Sequence, residues 1–113
     1  MVMLNLLKFR ATGDYSNFPD ESACSGREAF NRYEKRVAPL IKSLGGRIVF
    51  SEGAKGTAIG SQGEQWDKII LVEYPSPQTL GEMLASEQYL SNGHHIAAAV
   101  ENSRLIPTQA NAG

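Results

Sequence analysis

Apolar and polar positions alternate between two periods along this chain, and the switches mark its elements. Val2 to Phe9 is almost entirely apolar, with Asn5 as the polar residue in its middle. Such a run fits a strand covered on both faces. Arg10 to Ala23, rich in Gly, Asp, Ser, Asn and Pro, reads as a long connecting loop. Ser25-Gly26-Arg27-Glu28 has the form of a capping box, in which the serine hydroxyl accepts from an early helix N–H and the glutamate reaches back to the serine N–H. Phe30, Tyr33, Val37, Leu40, Ile41 and Leu44 then recur at three- and four-residue spacing, the stripe of an amphipathic helix. Gly45-Gly46 supplies its stop, and Pro39 should kink its last turns.

A second strand is expected over Arg47 to Gly53, followed by a turn at Ala54 to Gly56, a short continuation at Thr57 to Gly60 and a loop from Ser61 to Gln65. Trp66 to Tyr74 is the clearest strand, ended by Pro75. Ser76-Pro77 starts a helix with a serine cap and proline at the first helical position, where its missing N–H costs nothing. Leu80, Met83 and Leu84 form its buried face. Helical pattern resumes at Glu87 to Leu90, breaks at Asn92-Gly93 and returns from His94 to Asn102, before a short last strand at Leu105 and Ile106. One ferredoxin-like domain over residues 1–108 and a disordered tail at 109–113 follow from this reading.

The order β, α, β-β, α, β predicts an α+β fold, a ferredoxin-like βαββαβ sandwich with both helices on one face of an antiparallel sheet. The other face still carries apolar side chains, so a homodimer with sheets face to face is expected, a dimeric α/β-barrel. At 113 residues one domain accounts for the length, and its core is modest. Net charge is −1 with no basic stripe, which argues against nucleic acid and anionic membrane as partners. Cys24 is the single cysteine, so no intramolecular disulfide can form, which suits a reducing, cytoplasmic setting. The apolar N-terminus lacks a basic region and cleavage site and falls far short of the roughly 20 residues of a membrane span.

A set of short motifs then carries a family likeness: Met3-Leu4-Asn5-Leu6-Leu7-Lys8-Phe9, Val37-Ala38-Pro39-Leu40 with Gly45-Gly46, Trp66-Asp67 leading to Val72-Glu73-Tyr74-Pro75-Ser76, His94-His95, and Ser103-Arg104-Leu105. In this order and spacing the chain, from Val2 to Pro107, resembles the domain-of-unknown-function family 1330. The resemblance implies ferredoxin-like subunits paired as a dimeric α/β-barrel. That superfamily holds cofactor-free monooxygenases, muconolactone-isomerase-like enzymes, haem-degrading and haem-using members and stress-responsive proteins, so it implies no single function. Relatives often carry arginine directly after the histidine pair, where this chain has Ile96.

The chain holds no phosphate loop, dinucleotide-binding glycine pattern, serine-nucleophile elbow or cysteine pair. The candidates are isolated polar residues. His94 and His95 are adjacent, about 100° apart on a helix, so they are not expected to share a metal, and no metal or organic cofactor is expected. His95, on the side of Ala98, Ala99 and Asn102, is the candidate general base, with a packing or capping histidine as the plainer reading. Asn5, mid-strand among apolar residues, is its candidate partner for an oxyanion, against a purely structural hydrogen bond. Arg104, Trp66 and His94 are candidate substrate contacts, with Arg104 at the rim of a pocket shared by Asn5 and His95. Arg36 and Arg47 could likewise clamp a carboxylate, although surface ion pairs are the commoner fate. Asp67 and Glu73, roughly 20 Å apart along one strand, are too distant for a carboxylate pair. Two functions remain open: an enzyme of isomerase or monooxygenase type acting on a small organic molecule, or a non-catalytic ligand-binding or stress-response module.

Overall fold

The computed structural model describes residues 1–53 and 65–108. The turn expected at Ala54 to Gly56, the continuation at Thr57 to Gly60, most of the loop from Ser61, and the tail lie outside the described residues. Strand β1 (Val2–Phe9) leads through a loop to helix α1 (Gly26–Ser43), then β2 (Arg47–Gly53) and β3 (Lys68–Glu73). Helices α2 (Pro77–Ala85), α3 (Glu87–Leu90) and α4 (Gly93–Ala99) precede β4 (Val100–Pro107). The strands form one antiparallel sheet in the order β2-β3-β1-β4, with Asn5 opposite Ile70 on one side and Leu105 on the other. This is the ferredoxin-like arrangement that the element order predicts.

Alternation along the strands decides which face meets the helices. Leu7, Ile70 and Val72 are buried against Phe30, Val37 and Ile41 of α1, the stripe read from the sequence. Ser25 caps α1, its Oγ accepting from the Glu28 N–H at 3.1 Å and donating to Glu28 Oε1 at 3.2 Å. The glutamate thus returns to the serine hydroxyl rather than to its backbone N–H. Gly45, at φ +85°, ends the helix in the left-handed region that glycine enters freely. Among the described residues no helix is long and apolar enough to cross a membrane.

The C-terminal third departs from expectation. The helical segment stops at Ala99 instead of running to Asn102, and β4 starts at Val100 rather than near Leu105. Pairing decides this: Val100 lies opposite Phe9, Asn102 opposite Lys8, and the Arg10 N–H donates to the Ala99 carbonyl at 2.8 Å. A β-branched residue at the edge of an available ladder overrides the helical run of alanines before it. Asn102 is consequently exposed and does not share a side with His95.

Candidate functional site

Two separate places gather polar groups. The first is a cavity of about 160 Å³ between α1 and the sheet. Its walls are mostly apolar, with Leu7, Phe30, Val37, Ile70, Val72 and Met83 among them, and Ile48, Leu84 and Leu105 join it to the surface. Asn5 lines it. Its Nδ2 donates to the carbonyls of Met3 at 3.2 Å and Ile70 at 3.3 Å. Both partners only accept, so the amide orientation is fixed and Oδ1 is the atom left for anything in the cavity. Asn5 therefore does not provide the oxyanion donor that the sequence suggested.

Tyr33, Tyr89 and Glu34 also line the cavity. Tyr33 donates to the Tyr89 hydroxyl at 3.3 Å. Burial, then this hydrogen bond, raises the Tyr33 phenol far above its ordinary pKa, and burial pushes Tyr74 up to about 12. Both stay neutral. Glu34 Oε2 is buried with no hydrogen-bond partner; its nearest cation is Lys68 Nζ at 3.7 Å.

The second place is a cluster where the 10–25 loop meets α1 and α4. His95 is only 1% exposed. Its Nδ1 is 2.7 Å from the Tyr15 hydroxyl and its Nε2 is 2.8 Å from Arg36 Nη1. A guanidinium can only donate, so Nε2 accepts, Nδ1 carries the proton, and Tyr15 receives it. The ring is thereby held neutral in one tautomer. Its pKa is lowered by burial first and then by the neighbouring His94 and Arg36. A general base needs a free lone pair, and here Arg36 covers it.

His94 lies beside it, the two ring centroids 4.0 Å apart, with Phe18 stacked on the outer face of His94 at 4.5 Å. Glu21 Oε1 is 3.1 Å from His94 Nε2 and 3.8 Å from His95 Nε2. The His94 hydrogen bond, ahead of the nearby charges, holds the Glu21 carboxyl below its usual range. Arg32 stands behind, 3.9 Å from Glu21 Oε2 and 5.5 Å over the Tyr15 ring. The helical-wheel argument against convergence fails because the side chains, not the Cα positions, bring the rings together at the first turn of a short helix.

Asn5 and His95 do not share a pocket. His95 is absent from the cavity walls, and the chain reaches them only at the next residue, Ile96. Arg104 does not stand at the cavity rim either: it pairs with Leu6, on the face away from the helices, while Ser103 and Leu105 line the cavity. Its guanidinium lies 5.3 Å over the Trp66 ring and donates to Asn102 Oδ1. Of the remaining charges, Arg47 pairs with Glu73 at 2.9 Å, and Asp67 Oδ2 accepts from the Phe9 N–H at 2.8 Å. Tyr15, Glu21 and Glu34 escaped the sequence reading. The first two sit in an irregular loop 80 and 73 residues from their partners, where no periodicity signals a contact.

Comparison with known proteins agrees with this fold. The crystal structure of RPA0582, a protein of unknown function from Rhodopseudomonas palustris, is similar with TM-score 0.82 and 37% identity over 96% of this chain and 82% of that one. Methylated RPA0582 gives 0.86 and 35% over 99% and 82%. A dimeric ferredoxin-like protein of unknown function from Bacteroides fragilis shares the fold at TM-score 0.55 and 13% identity, over 93% and 90%. No curated protein matches the chain. The model of a domain of unknown function, DUF1330, matches residues 21–108. With that match and the RPA0582 likeness together, the chain belongs to the DUF1330 family, on a ferredoxin-like α+β fold similar to that of dimeric α/β-barrel proteins.

Proposed function

We propose that this protein binds a small, largely apolar organic molecule bearing a hydroxyl or amine, in the cavity between α1 and the sheet. The observation that carries this is the pairing of apolar walls with two acceptors, Asn5 Oδ1 and the buried, hydrogen-bond-free Glu34 Oε2. An apolar cavity of about 150 Å³ accommodates benzene, so the volume suits a single ring or a short branched chain. A ligand donor that reached Glu34 would give its Oε2 the hydrogen bond that the 3.7 Å ion pair with Lys68 does not supply.

Phenol and toluene, titrated into ¹⁵N-labelled protein, test the reading. Phenol should give saturable amide shifts at Leu7, Val37 and Ile70 and bind more tightly than toluene. Ala38→Phe, which fills the cavity, should remove the shifts. Absence of saturable shifts with either compound, or equal binding of both, would reject the proposal.

A catalytic version of the same site is favoured by one observation: Glu34 Oε2 accepts no hydrogen bond and stands beside an apolar space, with Lys68 Nζ 3.7 Å away. Such a carboxylate can take a proton from a bound hydroxyl or carbon acid, which suits cofactor-free isomerase or oxygenase chemistry. His95, the candidate for this base in the sequence, is held neutral and hydrogen-bonded at both ring nitrogens in the neighbouring cluster.

The protein works as a homodimer in this proposal. Leu4, Leu6, Ile69, Leu71, Phe50 and Ile106 fall by alternation on the sheet face away from the helices, and Phe50 and Ile106 are 43% and 44% exposed. Trp66 and the Arg104 guanidinium flank that face, so their role moves from substrate contact to subunit contact.

A further inference from the structure

We propose that Glu21, His94 and His95 form a binding site for one divalent transition-metal ion, zinc(II) being the test case, with two imidazole nitrogens and one carboxylate oxygen as ligands. Their three ligand atoms lie within 4.8 Å of one another. Around zinc with bonds of about 2.0–2.1 Å, tetrahedral ligand atoms stand roughly 3.3 Å apart. The observed separations from Glu21 Oε1, 3.1 Å to His94 and 3.8 Å to His95, need only small side-chain adjustments.

The tautomer of His95 is already the one a metal requires. Nε2 presents its lone pair and Nδ1–H is donated to Tyr15 at 2.7 Å. Metal-bound imidazoles characteristically give their second N–H to such an outer partner, which fixes the ring and raises its basicity. The lone pair is covered by a cation, the Arg36 guanidinium at 2.8 Å. Arg36 is an exposed residue on α1, so its guanidinium can turn to water once an ion takes its place at Nε2. Arg36 thus holds the place of the ion. His94, which now donates from Nε2 to Glu21, carries its proton on Nδ1 in the loaded state. Arg32, 3.9 Å from the far oxygen of Glu21, opposes the ion and limits its affinity. Three protein ligands leave a fourth position for water, the arrangement of sites that activate a water molecule rather than of closed structural ones.

Zinc titrated calorimetrically into the metal-free protein tests this. One zinc per chain is expected. His94→Ala and Glu21→Gln, at partly exposed positions and checked for fold by circular dichroism, should each weaken it by more than about tenfold. Arg36→Ala should tighten it by removing the competing cation. Failure of the wild-type protein to take up one zinc, or unchanged binding in His94→Ala and Glu21→Gln, would overturn the site. Weaker binding in Arg36→Ala would overturn the place-holding role of the guanidinium.

Discussion

Replacing Tyr15 by phenylalanine isolates the hydrogen bond that fixes His95. The change removes one oxygen and leaves the ring packing of Tyr15 against His95, centroids 5.6 Å apart and nearly perpendicular, in place. What remains is a His95 Nδ1–H with no acceptor, at a residue 1% exposed beside one that is 9% exposed. Water has little access, and a change of tautomer would put an N–H at Nε2 against the Arg36 donor, so it costs the Arg36 hydrogen bond instead. A buried donor without a partner costs roughly 1–3 kcal/mol. Urea denaturation should therefore show Tyr15→Phe destabilised by about that amount with an unchanged dependence on denaturant. His95→Leu removes the orphan, so the double variant should be more stable than the sum of the single changes predicts, by about 1 kcal/mol or more. A Tyr15→Phe loss below about 0.5 kcal/mol, or strict additivity in the cycle, would refute the assigned tautomer and its network.

The same histidine sets a pH dependence. Its folded pKa lies below the ordinary value of 6.5, so the unfolded chain binds the proton more readily and stability falls as pH drops below about 6.5. Urea midpoints measured between pH 7.5 and 5 should show this loss in the wild type and much less of it in His95→Leu. Gly26→Ala should destabilise by about 1–3 kcal/mol or more, since a Cβ there would stand 2.2 Å from the Arg10 carbonyl and 2.7 Å from that of Ala99, both backbone; thermal melting reads it. Leu6→Glu places a charge in the centre of the open sheet face and should give a folded monomer in sedimentation, where the parent chain is expected to sediment as the proposed dimer.

How far the sequence reveals such a molecule depends on where each determinant resides. The α1 stripe, the Ser25 cap, the Gly45 stop and the Ser76-Pro77 start are local, and each is visible within a few residues. The end of α4 is not: nothing near Ala97 to Val100 announces that Phe9 and Lys8 wait to pair with it. Site residues divide in the same way. The inward position of His95 follows from its alanine neighbours, and the entry of Asn5 into an apolar space from strand alternation. Glu21 and Tyr15 act through a loop whose path is set by tertiary contacts alone. Glu34 sits beside the α1 stripe and reads as an ordinary solvated glutamate until the cavity under it is seen.

The neck of that loop is tied by backbone alone. Gly26 N–H donates to the Arg10 carbonyl, Arg10 N–H to that of Ala99, Gly13 N–H to that of Cys24, and Asp14 N–H to that of Ala98. Side chains between the ties, Tyr15 and Glu21 included, make none of these four bonds. Two of the four ties end on Ala98 and Ala99, made long after the loop itself. During translation, residues 14–21 can be closed off only by the Arg10–Gly26 and Gly13–Cys24 ties until the segment around residue 99 follows. The Tyr15–His95 and Glu21–His94 contacts thus form only once residues 94 and 95 have been made, and a nascent chain stalled before residue 94 would hold the loop by its two local ties alone.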